Sequence, residues 1–299
     1  MAIKYSIIIP CKNNPQLICR AIRSIPEDES IEVILVDDNS DPHVIDFNRY
    51  PGYDRKNVSI VLSKSNKGAG HARNLGLEKA NGKWVLFLDS DDFFEPNLIE
   101  KLDNYYDAVE DIIFFNLCTC YSDNYEYSDR LSARIDLLHK KQDDNLEFYC
   151  RFRYTEPWGK MIRKSLIQDN NIKFDETICA NDYAFSILTG FYAKKIRICD
   201  VALLCVTERH GSLSNNYYDS DEKWEARVKV TYRIQEFMDK NGIPLLPFYS
   251  LIIQSQKKSP RHYKYIIEFC KANGIDRYVI FKNCILKTII NKIFCRNIV

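Results

Sequence analysis

Over the first hundred residues, short apolar runs alternate with helical patterns. Tyr5 to Ile9 is β-branched and carries no charge, which predicts a strand buried on both faces. Leu17, Ile18, Ala21, Ile22 and Ile25 recur at helical spacing until Pro26 interrupts them. Strands are expected again at Ile31 to Val36, Val58 to Leu62 and Trp84 to Leu88, with a helix from Ala69 to Ala80 closed by Asn81-Gly82. Such alternation predicts an α/β fold built on a mostly parallel sheet flanked by crossover helices. Three of the four strands run into polar or acidic clusters at their carboxyl ends, where sheets of this kind bind ligands.

The pattern changes near Pro96. Leu98, Ile99, Leu102, Tyr105, Tyr106 and Val109 predict an amphipathic helix over Pro96 to Val109. A strand is expected at Ile112 to Leu117, then a polar strand or loop from Cys118 to Tyr127. Helices are expected at Asp144 to Arg153 and Asp182 to Ala193, a short strand at Met161-Ile162, and strand from Ile196 to Val206. Glu222 to Lys240 reads as a helix ended by Asn241-Gly242, and the chain past Pro247 as a basic, helical tail.

Composition adds a core and a charge asymmetry. Of 299 residues, 45% are hydrophobic, which excludes global disorder. The net charge of +1 conceals a division: Leu251 to Val299 holds ten Lys or Arg against two Asp or Glu, and the remainder 32 against 39. An acidic body with a basic tail implies two roles. Eleven cysteines are scattered singly except for Cys118-x-Cys120 and show no zinc spacing, so reduced, buried thiols are expected. The N-terminus runs directly into a strand and no stretch reaches the roughly 18 to 20 apolar residues of a membrane span, so a cytoplasmic protein without secretory leader is expected.

The strongest chemical signal is Asp89-Ser90-Asp91-Asp92, which follows a buried strand. Carboxylates crowded into one turn repel one another, and a hard divalent cation, Mn2+ or Mg2+, relieves that repulsion. A solvated acidic turn capping the next helix accounts for the same residues. Asp37-Asp38-Asn39-Ser40 is either a second polar rim or an ordinary turn. Asn66-Lys67-Gly68-Ala69-Gly70-His71-Ala72-Arg73-Asn74 joins glycines and cations to a helix start, a combination suited to phosphate. Arg73 stands where a dinucleotide fingerprint needs its third glycine or alanine, so that reading fails.

Taken in order, these segments resemble family-2 glycosyltransferases of the GT-A fold, a Rossmann-like sheet. The resemblance continues through Pro157-Trp158-Gly159-Lys160, Asn181-Asp182-Tyr183-Ala184-Phe185 and His210-Gly211-Ser212-Leu213-Ser214, and covers roughly residues 4 to 216. It implies a metal-dependent, inverting transfer from a nucleotide sugar, with uridine as the expected nucleoside. Pro10 would line the nucleotide pocket and Asp38 would accept from the base. Asn66, Lys67, Gly68 and Arg73 would lie near the donor, with Asp89 on ribose or sugar. Asp91 would bind the metal, joined by His210, and Asp182 would be the general base. Two positions depart from the family. Lys12 replaces a base-stacking aromatic residue, and Asn181 replaces the Glu before the base, which should leave Asp182 easier to ionise.

Two domains are expected, 1–216 catalytic and 217–299 a helical extension. Tyr278, Val279, Ile285, Leu286, Ile289, Ile290 and Ile293 form an apolar stripe, interrupted by Lys282, that suits either packing or a membrane interface. A glycan or lipid-linked acceptor and a role in surface polysaccharide synthesis follow from the resemblance, and no nucleic acid is expected. A catalytically impaired nucleotide-sugar binding module and a sugar nucleotidyltransferase are the rival functions. The second lacks the glycine-rich loop it would need after the first strand.

Overall fold

The computed structural model describes residues 2–208, 220–276 and 278–287. The expected domain boundary at 216/217 lies outside them. By contacts, the described residues up to Thr177 and from Asn181 to Glu208 form one compact unit; Ile178–Ala180 and those from Ser220 onward form another.

An eight-stranded sheet organises the first unit, in the order β3-β2-β1-β4-β7-β6-β8-β5. Strands β1 (Tyr5–Cys11), β2 (Ile31–Asp38), β3 (Val58–Ser63) and β4 (Trp84–Phe87) are parallel neighbours. Every residue of β1 and β4 is buried, which explains why both read as apolar runs instead of alternating. Helices α1 (Pro15–Arg23) and α2 (Ala69–Lys79) cover the crossovers. This α/β sheet with flanking helices agrees with the expectation.

The second half mixes directions. β7 (Lys160–Arg163) lies antiparallel between β4 and β6 (Ile112–Tyr121). β8 (Ile196–Glu208) runs parallel to β6, with a register shift near Asn116, and β5 (Phe93–Phe94) closes its edge. Register brings Cys11 beside Asp37, Asp38 beside Ser63 and Ile8 beside Phe87, so the parallel strands end together at one rim.

The helix expected over Pro96 to Val109 is only α3 (Leu98–Asp103). Beyond it the backbone tightens into i→i−3 bonds at Tyr105, Tyr106 and Ala108. The Tyr106 carbonyl is instead taken by the Lys83 ammonium and the Trp84 indole, each at 3.0 Å. Short helices α4 (Ser132–Leu138) and α6 (Lys164–Asp169), together with β5, were not foreseen, while α5 (Asp144–Phe152) and α7 (Tyr183–Tyr192) fall where expected.

The second unit packs α8 (Asp221–Lys240), α9 (Pro247–Lys258) and α10 (Pro260–Ala272) around Trp224, Phe248, Leu251, Ile252 and Ile266. Ser220 caps α8 by accepting from the Lys223 amide, and prolines open the other two helices. Among the described residues, no helix is long and apolar enough to cross a membrane.

Candidate active site

The rim of the sheet gathers most of the expected residues. Pro10 is buried as the penultimate residue of β1, and Asp38 is buried at the end of β2. Asp38 accepts from the Lys67 amide at 3.1 Å and the Gly68 amide at 2.9 Å, so it holds the Asn66-Lys67-Gly68 loop in place. Gly68 has φ of +88°, a conformation that side chains disfavour. Lys12 donates to the Asn66 side chain. Asp37 is spent internally on Ser40 and on the Tyr50 hydroxyl at 2.7 Å.

Helix α2 starts pressed against residues 174–177 and Asn181. A Cβ at Gly70 would stand 2.0 Å from the Asp175 carbonyl oxygen, so only glycine permits this approach. Asn74 clamps the Phe174 backbone through both its amide groups, at 2.9 and 3.0 Å. Glu176 takes the His71 ring at 2.9 Å and Lys67 at 3.3 Å, so His71 has a structural partner.

This packing places Arg73 between two halves of the site. Its buried guanidinium donates to Asn181 Oδ1 at 2.9 Å and to Asp89 Oδ1 at 2.7 Å, and lies 5.3 Å above the Phe174 ring. Asp182 follows directly and opens α7. Burial raises the Asp182 pKa, Arg73 opposes this, and Glu156 and Asp89 add to it. The expectation from the neutral Asn181 was a carboxyl easier to ionise. Burial decides otherwise, and Glu156 supplies like charge from elsewhere in the chain.

Carboxylate oxygens of Asp89, Asp91 and Asp92 lie within 4.8 Å of one another. Asp92, quoted in the turn but not singled out from sequence, is its most buried member. Thr207 of β8 fixes the turn: its amide donates to Asp92 at 2.7 Å and its hydroxyl to the Asp91 carbonyl at 2.7 Å. Burial, then Asp91 and Asp89, push the Asp92 carboxyl well above its usual range. Three hard oxygen donors with mutual repulsion fit Mn2+ or Mg2+. Asp89, expected near ribose or sugar, thus joins the acidic cluster. His210, the remaining expected metal residue, lies outside the described residues.

Among the described residues, Lys160 forms no ion pair with a carboxylate. It is buried and donates to the Tyr154 carbonyl at 2.6 Å, and burial lowers its pKa to about 7. Arg134 forks onto Glu156, at 3.0 Å to each oxygen, above the Tyr154 and Trp158 rings. Sequence reasoning missed Arg134 and Glu156, because 22 positions and no motif separate them. Trp158 and Trp224 are both buried packing residues, whereas Tyr125 and Tyr127 are exposed.

Residues 6–170 match the model of Glycosyl transferase family 2. The chain belongs to that family. Among its relatives is the putative glycosyltransferase EpsH of Bacillus subtilis, 26% identical over 204 residues, covering 64% of this chain and 57% of that one. An uncharacterized glycosyltransferase of Haemophilus influenzae is 37% identical over 239 residues, covering 77% and 93%. The poly(ribitol-phosphate) beta-N-acetylglucosaminyltransferase TarS of Staphylococcus aureus is 26% identical over 230 residues, covering 73% of this chain and 38% of that one. The crystal structure of TarS 1-349 in complex with UDP-GlcNAc superposes with a TM-score of 0.61 at 23% identity, covering 78% of this chain and 66% of the other, which shows the shared GT-A fold. The chain spans 57% and 38% of the lengths of the first two curated relatives it matches, EpsH and TarS.

Proposed function

We propose that this protein transfers a sugar from a uridine-type nucleotide sugar to a hydroxyl acceptor, with inversion, in the synthesis of a surface polysaccharide or related glycan. The observation that carries the reading is the Arg73 bridge, which ties Asp89 of the acidic turn to Asn181, immediately before Asp182. A uridine donor is supported by likeness to a fold solved with UDP-GlcNAc.

Asp89, Asp91 and Asp92 would hold the divalent cation, which supplies charge stabilisation for the leaving diphosphate. Asp38 keeps the Asn66-Lys67-Gly68 loop against the donor side. Asp182 takes the proton from the acceptor hydroxyl as that oxygen attacks the anomeric carbon from the opposite face. Its raised pKa makes it a stronger base than an exposed aspartate. Arg73 holds the Asp89 carboxylate and the Asn181 side-chain amide, next to Asp182, in one alignment, and alignment of two substrates is where such a site gains most. Release of uridine diphosphate from a panel of uridine sugars, with and without manganese, tests the reading. Cation-dependent release that Asp182→Asn abolishes supports it; release of pyrophosphate from a nucleoside triphosphate overturns it.

The reading places the enzyme on the cytoplasmic face of a membrane, with a lipid-linked glycan as acceptor. In the helical run 278–287, Tyr278, Val279, Phe281, Ile285 and Leu286 are exposed, while Ile280 and Cys284 face the second unit's core. Ile289, Ile290 and Ile293 of the expected stripe lie outside the described residues. An apolar face within a segment of ten basic and two acidic residues suits an anionic bilayer surface. Co-sedimentation with anionic vesicles at low salt should succeed for the full chain and weaken for Phe281→Ser; absence of binding removes the membrane contact.

A further inference from the structure

The β6–β8 ladder assembles a second group of ligating atoms that sequence spacing does not reveal. Cys118 and Cys120 are two positions apart on β6 and share one face of the strand. Cys205 on β8 is the register partner of Cys118, and its sulfur lies 3.2 Å from that of Cys120. The Cys118 thiol donates to Glu95 Oε1 at 3.1 Å. Ligand atoms of Glu95, Cys118 and Cys205 all lie within 4.8 Å of one another.

We propose that Glu95, Cys118 and Cys205 form a site for a soft divalent cation of the zinc class, with Cys120 packed against Cys205 behind it. Tetrahedral zinc with sulfur at about 2.3 Å spaces its ligands about 3.8 Å apart, a spacing that the 4.8 Å spread of these three ligand atoms accommodates. Thiols alone would be explained by apolar packing. A carboxylate directed at Cys118 is not, and it makes a two-sulfur, one-oxygen donor set that leaves the fourth position to water. Glu95 is held in place by its own amide, which donates to the Leu203 carbonyl at 2.9 Å. Glu95 and Cys118 are half-buried, so an ion reaches the site from solvent, and Cys120 and Cys205 close it from within. Binding breaks the S–H bonds, sends those protons to solvent and forms sulfur–metal bonds. Hydrogen bonding with Cys118, then burial and the contact with Cys120, favour the Cys205 thiol until then.

The site differs in kind from the acidic turn. Sulfur ligands select zinc over magnesium or manganese, and carboxylates the reverse. It would join β6 to β8 two residues before Thr207, which fixes Asp91 and Asp92, and so stiffen the wall behind the turn.

The test uses the purified full chain, stripped with a chelator, loaded with zinc and passed through gel filtration. About one equivalent of zinc should remain, be released by an organomercurial, and be replaceable by cobalt with a thiolate charge-transfer band. Cys118→Ser and Cys205→Ser should each lose the metal, with circular dichroism confirming the fold, while Cys19→Ser and Asp91→Asn keep it. Absence of bound zinc, a cobalt complex without the thiolate band, or metal that Cys118→Ser retains and Asp91→Asn loses would overturn the proposal.

Discussion

Arg73 donates to Asp89 at 2.7 Å with one terminal nitrogen and to Asn181 at 2.9 Å with the other. A planar fork spans two acceptors that a single ammonium cannot. Arg73→Lys should therefore lower turnover by about 10²-fold, the loss typical of a misaligned charge-stabilising group. Donor binding should change far less. Steady-state kinetics separate the two, and unchanged turnover would detach the bridge from catalysis.

The same geometry shows what was legible in the sequence. β1, β2 and β4 announce themselves because strands buried on both faces need unbroken apolar runs, edge strand β3 because of its β-branched Val58, Ile60 and Val61, and the acidic turn because its carboxylates crowd into one short stretch. The link from Arg73 to Asn181 spans 108 positions, and only the fold brings them together. β5 is two residues long, too short for any periodicity. The helix after Pro96 stops early because a side-chain contact, Trp84 and Lys83 on the Tyr106 carbonyl, competes with helical bonding. The ionisation of Asp182 was misjudged because burial, which outweighs the neighbouring residue, is a property of the tertiary structure.

Asp182→Asn should keep donor binding and lose transfer. In the native enzyme the rate should rise with pH through the Asp182 pKa, on a limb displaced above the usual aspartate range because burial raises it. A pH–rate profile checks the displacement. A limb at or below the model-peptide position of 3.8 would contradict it.

Asp92 carries a stability cost. Its folded pKa lies well above 3.8, so the native state binds more protons than the unfolded one, and cation-free stability falls as pH rises above 3.8 towards the folded value. Asp92→Asn should raise the melting temperature of the cation-free protein at neutral pH and remove the stabilisation by manganese. Thermal melts with and without manganese test both halves.

Lys160 has the opposite sign. Its folded pKa is about 7 against 10.5 unfolded, so the unfolded chain binds the extra proton across that window and stability rises with pH. The slope contributed approaches about 1.4 kcal/mol per pH unit between about pH 8 and 9.5, where the unfolded group is protonated and the folded one is not. Lys160→Met should flatten that rise, as read from urea midpoints at several pH values.

Gly70→Ala should destabilise the first unit, because the added Cβ would meet the Asp175 carbonyl oxygen at 2.0 Å. Overpacking of this kind costs about 1 to 3 kcal/mol, a fall of about 2 to 4 °C per kcal/mol. Turnover should fall with it, since the same contact positions Asn181 and Asp182. A variant with wild-type melting would show that the helix start has room to move.

The most direct test of the central claim is a thermal-shift comparison of uridine diphosphate with the other nucleoside diphosphates, each with and without manganese. At about a hundred times its dissociation constant, a bound ligand should add about 2.7 kcal/mol of stability. The account predicts that uridine diphosphate stabilises the native chain only with manganese, and that Asp91→Asn loses the effect. Stabilisation by no nucleotide, or equally by uridine diphosphate without the cation, would contradict it.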